Sequence, residues 1–223
     1  MAYTVLDTTT WSRAEHFKFY QSFSHPWYNV CSQIDMTALY QYCKQHGHRF
    51  FHAYLYLTQQ ALNHCEPMAY RIVDDEVRIY SPMCVSIALL ADDNTVRFCD
   101  LPYAATFSEF SQRATESEIN IKKTPFIVEQ FIGQTIRQET IHMTVLPWVD
   151  FTSMSHARDT NFPDSIPKMA LGKLTQQGDS WRMPLSVEVH HGMMDGLHVG
   201  QFINTLQELF NQPSLLDNGQ KGH

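Results

Sequence analysis

A chain of 223 residues, 43% hydrophobic and 13% aromatic, has enough apolar surface for one sizeable core, and a single domain over 1–223 is the simplest organisation. A net charge of −7 with no Lys/Arg cluster argues against a nucleic-acid-binding face. No uncharged apolar run approaches the ~20 residues that span a bilayer, and the N-terminus lacks the basic-then-apolar pattern of a signal peptide. Five scattered cysteines (Cys31, Cys43, Cys65, Cys84, Cys99) form no CxxC pair. They predict reduced, mostly buried thiols in the cytoplasm, with neither a zinc site nor a disulfide framework.

In chain order, Ser12-Arg13-Ala14-Glu15 has capping-box spacing ahead of Phe17, Phe19, Tyr20 and Phe23, which predicts a first helix. A second is expected from Asp35 as N-cap to Gly47, with Met36, Leu39, Tyr40 and Cys43 as its apolar stripe. A third, apolar on several sides, covers roughly Phe50 to Cys65 and stops before Pro67. Tyr70–Val73 and Val77–Tyr80 flank Asp74-Asp75-Glu76 as a hairpin. Cys84–Leu90 is a candidate central strand, and Asp92-Asp93-Asn94 turns the chain into a strand at Thr95–Cys99. Thr106-Phe107-Ser108-Glu109 opens a polar helix to about Ile119; Lys122 to Glu139 is ambiguous, with partial helix expected. Ile141–Val145 is a strand ending at Pro147-Trp148. Lys168–Thr175 and Trp181–His190 pair around Gln177-Gly178-Asp179. Val199, Phe202, Ile203, Leu206, Leu209 and Phe210 then recur at helical spacing, with Pro213 beyond the end. Strands and helices mixed without a strict βαβ rhythm indicate an α+β fold, a sheet covered by helices, and not a Rossmann sheet.

The segment with chemistry in it is His190-His191-Gly192-Met193-Met194-Asp195-Gly196, between a strand and a helix. Such a turn exposes side chains at a sheet rim while rigid elements hold both ends. Histidine accepts a proton near neutral pH without large tuning. The acid four residues on, with glycine after it, suggests a tight turn fixed by a buried charge. Other roles stay open on local chemistry alone: the histidines as a satisfied polar pair, and Asp195 as the N-cap of the last helix. A metal site with His198 is disfavoured, since consecutive strand residues point to opposite faces.

The pattern HHxxxDG resembles the signature of the chloramphenicol acetyltransferases and their relatives, the dihydrolipoyl acyltransferases and peptide-synthetase condensation domains. Met183–His191 and Asp195–Val199 resemble the first of these families at its catalytic strand and turn, and Phe202–Leu209 its last helix. Trp11, Arg13 and Glu15-His16-Phe17 resemble its first helix, and Leu146-Pro147-Trp148-Val149-Asp150-Phe151 its mid-chain element. The resemblance is collinear over nearly the whole chain. It implies a two-layer sandwich of a mixed β-sheet covered by helices, and an O-acetyltransferase that joins acetyl-CoA to a small-molecule alcohol without a metal.

By the resemblance, His191 is the general base that deprotonates the acceptor hydroxyl as its oxygen attacks the thioester directly. Thr144 takes the place of a serine whose hydroxyl stabilises the oxyanion, a departure that keeps the hydroxyl and adds a methyl. Arg13 pairs with Asp195 to lock the turn, and Lys173 corresponds to a lysine near the CoA phosphates. Phe19, Tyr20 and Tyr28, with Phe98 on a looser match, correspond to aromatics of the acceptor pocket; ordinary core packing is the competing role for each. The run Ser155-His156-Ala157-Arg158-Asp159-Thr160 departs from the family, placing His156 and Arg158 where aliphatic side chains are expected, and His142 departs beside Thr144. A cation in that pocket would favour a polar or anionic alcohol over chloramphenicol, unless the long side chains turn to solvent. The resemblance further implies a homotrimer with sites at subunit interfaces. The competing functions are a catalytically silent CoA- or ligand-binding homologue and a transferase for longer acyl groups or carrier-protein thioesters. A Ser-His-Asp hydrolase is disfavoured because no GxSxG element is present.

Overall fold

The computed structural model describes residues 2–159 and 164–218. Within them the chain runs β1 (Ala2–Val5), α1 (Ala14–Gln21), β2 (Trp27–Asp35), α2 (Thr37–His46), α3 (Phe50–His64), β3 (Tyr70–Val73), β4 (Glu76–Ser81) and β5 (Cys84–Leu90). It continues through β6 (Val96–Leu101), α4 (Phe107–Lys123), α5 (Val128–Thr135), β7 (Thr140–Val145), β8 (Lys168–Leu171), β9 (Thr175–Gln177), β10 (Ser180–His190) and α6 (Gly196–Phe210). The main sheet has the order β2-β10-β8-β7-β5-β6, with β9 also on β10. β5, β7 and β8 are mutually parallel and the remaining pairings of this sheet antiparallel. A second, three-stranded sheet has the order β1-β4-β3.

The register of the main sheet separates its two faces. One cross-strand row is Val30, Val187, Met169, Met143, Ile87 and Cys99. Except for the partly buried Val30, these join a core with Leu55 and Leu62 of α3, Phe110 of α4, and Phe202, Leu206 and Phe210 of α6. A fully buried Leu or Phe of this kind contributes about 1.5–3 kcal/mol. The adjacent row is polar in all six strands: Asn29, Glu188, Lys168, His142, Ser86 and Asp100. The next row on the same face is Cys31, Ser186, Ala170, Thr144, Ala88 and Phe98. Period-2 alternation thus places the helices on one side and the chemistry on the other.

Several local expectations shift. Ser12 does not cap α1: Arg13 occupies the N-cap position without a side-chain bond, and Glu15 pairs instead with Lys18. Asp35 ends β2, and Met36 is the N-cap of α2, although Asp35 Oδ1 still accepts the Thr37 N–H at 2.8 Å. Thr106 caps α4, which runs four residues past Ile119, to Lys123. The expected strand Lys168–Thr175 is two strands, β8 and β9, separated at Gly172–Leu174, where the chain packs against Val149 and Phe151. There Gly172 N–H donates to Pro184 O and Lys173 N–H to Val149 O. β1 and β2 were not legible as strands, because neither alternates cleanly. β2 nevertheless pairs with β10 over nine residues, Trp27↔His190 to Asp35↔Arg182.

Gly172 sits where no side chain fits. A Cβ there would lie 2.4 Å from Pro184 Cγ and 2.6 Å from the Val149 carbonyl oxygen. Gly172→Ala should therefore lose about 1–3 kcal/mol through overpacking, read as a melting midpoint several degrees lower; an unchanged midpoint would contradict this packing.

Candidate active site

β10 ends at His190, and the backbone turns at once into α6. His191 N–H donates to Pro26 O at 2.7 Å, which pins the turn to the start of β2. The His191 ring stacks on Tyr20 of α1 (centroids 4.2 Å apart, planes 11° apart) and lies 4.4 Å from the Tyr28 ring of β2. Burial pushes the Tyr28 phenol up to about 12, so it stays protonated beside the imidazole. Phe19 packs edge-on against Tyr20 but is itself exposed. Gly192 is closely packed: a Cβ there would meet the His190 ring at 3.1 Å and Tyr20 Cβ at 3.3 Å, so these neighbours would have to give by a few tenths of an ångström.

Arg13 and Asp195 form the ion pair expected from the sequence. Arg13 Nη2 also donates to the His191 carbonyl at 3.1 Å, so one guanidinium holds both ends of the turn. Asp195 accepts the Leu197 N–H at 3.0 Å and is the N-cap of α6, with His198 closing a capping box. The two roles weighed for Asp195, lock and cap, are thus performed by the same carboxylate. Burial opposes its charge, but bonds from His198 and Arg13 hold the carboxyl down at about 2.

Thr144 lies elsewhere. It lines a cavity of about 570 Å³ with Phe98, Ile132, Ile136, His142, Met143, His156, Ala157, Asp159, Asp164 and Lys168. Thr144 is level with Ala170 and Ser186, so His191 lies five residues farther along β10 and two strands across. That is about 19 Å at ordinary strand rise and spacing. The sequence-predicted residues thus separate within one chain. Arg13, Phe19, Tyr20, Tyr28, His191 and Asp195 gather at one end, and Phe98, His142, Thr144 and His156 surround the cavity.

Arg158 is the clearest correction. Its side chain is 4% exposed and makes ion pairs with Glu188 and, at 2.8 Å, Asp164. It also donates to Ile166 O and lies 3.3 Å over the Trp27 ring. It is not a cation offered to an acceptor: two carboxylates neutralise it behind the cavity wall. Burial opposes the Glu188 charge, yet contacts from His156 and Arg158 bring its carboxyl down to about 2. Sequence reading missed Glu188, Asp164, Lys168 and Trp27 as members of this network. The available signal was an acid at the centre of a strand whose opposite face is wholly apolar. Lys173, just past β8, is exposed, and Thr160 lies outside the described residues. Among the described residues no cluster of His, Cys, Asp or Glu is arranged to hold a metal. No helix among them is long and apolar enough to cross a membrane.

The family model for chloramphenicol acetyltransferase matches residues 1–207. The chain belongs to the chloramphenicol acetyltransferase family. Chloramphenicol acetyltransferase 3 of Escherichia coli is 30% identical over 213 residues, covering 95% of this chain and 98% of that relative. A second Escherichia coli chloramphenicol acetyltransferase is 31% identical over 218 residues, covering 92% and 93%. A solved chloramphenicol acetyltransferase structure superposes with a TM-score of 0.83 at 23% identity, over 94% of this chain and 100% of that one. The two-layer α+β fold of this family of acyltransferases is therefore the fold of this chain.

Two outcomes are expected at this acetyltransferase turn. Arg13→Met should destabilise by about 1–3 kcal/mol by stranding the Asp195 carboxylate, and the double variant with Asp195→Asn should recover part of that loss in urea titrations. His190, 6% exposed, is pushed down to about 4, first by burial and then by the neighbouring charges of Arg158 and His191. Folding therefore favours its neutral form, contributing stability that is present above pH 6.5 and lost as pH falls through about 4, worth up to about 3 kcal/mol. His190→Asn should flatten the pH dependence of the unfolding free energy over that window; a curve parallel to the parent's would refute the assignment.

Proposed function

We propose that this protein transfers acetyl from acetyl-CoA to a hydroxyl of a small alcohol, at sites formed between copies of the chain. His191 of one copy meets Thr144 and its cavity on another. The observation that carries this reading is the separation of an ordered histidine and an ordered cavity hydroxyl by about 19 Å along one sheet, which no side-chain rotation closes. A cyclic homotrimer supplies the missing juxtaposition at each interface.

In this reading a neutral His191 takes the proton of the acceptor hydroxyl as its oxygen adds to the thioester carbonyl. The stacked Tyr20 and Tyr28 rings fix the imidazole plane, and the Arg13–Asp195 lock fixes the backbone beneath it. The new oxyanion accepts a hydrogen bond from the Thr144 hydroxyl. When the tetrahedral species collapses, the carbon–sulfur bond breaks, the thiolate of CoA leaves and takes the proton back from His191, and the acetyl ester remains. Holding both substrates in one interface supplies much of the rate. Lys173, exposed beyond β8, is free to meet a CoA phosphate as a point charge. A cytoplasmic setting is supported by five cysteines that form no disulfide among the described residues.

A more polar or anionic acceptor loses its main support, because the cation that motivated it is neutralised by Glu188 and Asp164. The silent-homologue reading predicts no thiol release with any alcohol, chloramphenicol included.

His191→Ala should lower kcat by about 10²–10⁴-fold and Thr144→Ala by about 10²–10³-fold, with Thr144→Ser remaining active. Subunits carrying one defect each, dissociated and reassembled together, should regain a fraction of parental turnover, since some interfaces then combine an intact His191 with an intact Thr144. Mixtures no more active than either parent variant would exclude a shared site.

A further inference from the structure

We propose that Arg158 and Trp27 are positioning residues for His191. Together they tie the wall of the Thr144 cavity to the histidine turn of the same chain. The proposal rests on the acetyl-transfer reading, in which that wall and that turn serve two different shared sites.

Trp27 opens β2 directly opposite His190, the last residue of β10. Its ring meets the His190 ring edge-on, with centroids 5.1 Å apart and planes at 87°. Over the Trp27 ring lies the Arg158 guanidinium, its Cζ 3.3 Å from the ring centroid. A cation over an indole face is attracted more strongly where water is excluded, and the Arg158 side chain is 4% exposed. Glu188, Asp164 and the Ile166 carbonyl hold the same guanidinium from other directions. Arg158 therefore fixes Trp27 against a rigid frame, and Trp27 in turn packs on His190.

His190 passes the restraint on. Gly192 N–H donates to His190 Nδ1 at 3.2 Å, and Met193 and Met194 N–H donate to its carbonyl at 3.0 and 3.1 Å. His191 N–H donates to the carbonyl of Pro26, the residue before Trp27, at 2.7 Å. The backbone of the turn is thus bonded to the residues that Trp27 packs on or adjoins. A backbone N–H can only donate, so His190 Nδ1 carries a lone pair and the ring is neutral. Burial is the first cause that keeps it so, and the Arg158 charge is the second. The guanidinium supports the Gly192 bond twice, through the Trp27 ring and through its charge. Arg13 grips the far end of the same turn, through Asp195 and the His191 carbonyl. The two arginines differ in what stands behind them. Arg13 begins α1, whereas Arg158 belongs to the connection that carries His156 and Ala157 of the cavity wall. A displacement of that wall reaches Trp27 and then the turn, whose base acts in the neighbouring site. A misplacement of about 1 Å costs up to about 10²-fold in rate.

Mixed oligomers separate this role from the wall's own. One subunit type carries Thr144→Ala and the other His191→Ala, so each complete site joins the histidine of the first type to the cavity of the second. Arg158→Lys, which keeps the charge and loses the planar group, is then added to either type. Acetyl transfer from acetyl-CoA to chloramphenicol is followed by thiol release. Placed with the intact His191, the change should lower kcat by about tenfold or more, with KM for chloramphenicol nearly unchanged. Placed with the intact Thr144, it should act chiefly on KM. Trp27→Leu beside the intact His191 should reproduce the kcat loss, and Trp27→Phe, which keeps a ring for both contacts, should restore most of it. Losses confined to the cavity chain, or equal in both placements, would overturn the proposal. Should Arg158→Lys not fold, the Trp27 pair decides. Amide exchange at Gly192 reads the same link without turnover. It should be several times faster in the Arg158→Lys and Trp27→Leu proteins than in the parent and near the parent rate in Trp27→Phe; parental exchange in all three would overturn the proposal. If the mixture without added changes releases no thiol, the shared-site reading fails, and the Gly192 exchange still decides this one.

Discussion

Arg13 reaches across 182 positions of sequence to the carboxylate of Asp195 and, with its other nitrogen, to the backbone carbonyl of His191. Everything at the rim of the sheet depends on this clamp. The turn after β10 has no ladder partner on its far side. Without a charge beneath it, the His191 backbone would be held by a single bond to Pro26. Asp195 also caps α6, so the clamp joins the first helix, the last helix and the longest strand at one point. A carboxylate with three such engagements stays ionised far below neutral pH. That suits a structural anchor better than a proton relay to His191.

The sheet distributes its polar groups with unusual regularity. One row of six side chains is wholly apolar and packs on the helices; the next is wholly polar and faces away from them. On this face Ser86, Ser186 and Glu188 are each at most 5% exposed, so its polar groups are largely withdrawn from solvent within the chain itself. The His191 turn and the Thr144 cavity occupy different parts of it. Their separation follows from register: five residues along β10 and two strand spacings cannot be bridged by any loop on the same chain.

The long connection between β7 and β8 has no helix or strand among its described residues; backbone bonds tie its two ends, Leu146 N–H to Leu171 O and His142 N–H to Pro167 O, and side chains hold the part between. Arg158 is central there, with two carboxylates, a carbonyl oxygen and the Trp27 ring around one planar group. A guanidinium serves here where a lysine would not, because the partners lie in different directions around its plane. The consequence for chemistry is indirect. The charge that gave the sequence a polar acceptor pocket is consumed in building the wall, and the His142 and His156 rings are left lining the cavity.

By itself the sequence determined the strand-to-helix turn at His190–Gly196, the hairpin at Asp74-Asp75, the Gly47 stop, most helix spans and the family, since each rests on short-range spacing or on a collinear set of motifs. The pairing of Arg13 with Asp195 was also legible, but only through the resemblance. Only the tertiary structure decided that β2 is the partner of β10, that Lys168–Thr175 breaks at Gly172, that Arg158 is neutralised, and that His191 and Thr144 lie far apart in one chain. The reason is physical. Local patterns record how a segment packs on one face, whereas charge pairing and strand order depend on which segments meet in the fold, from Arg158 with Glu188 thirty positions on to β2 with β10 at opposite ends of the chain, and no single segment carries that information.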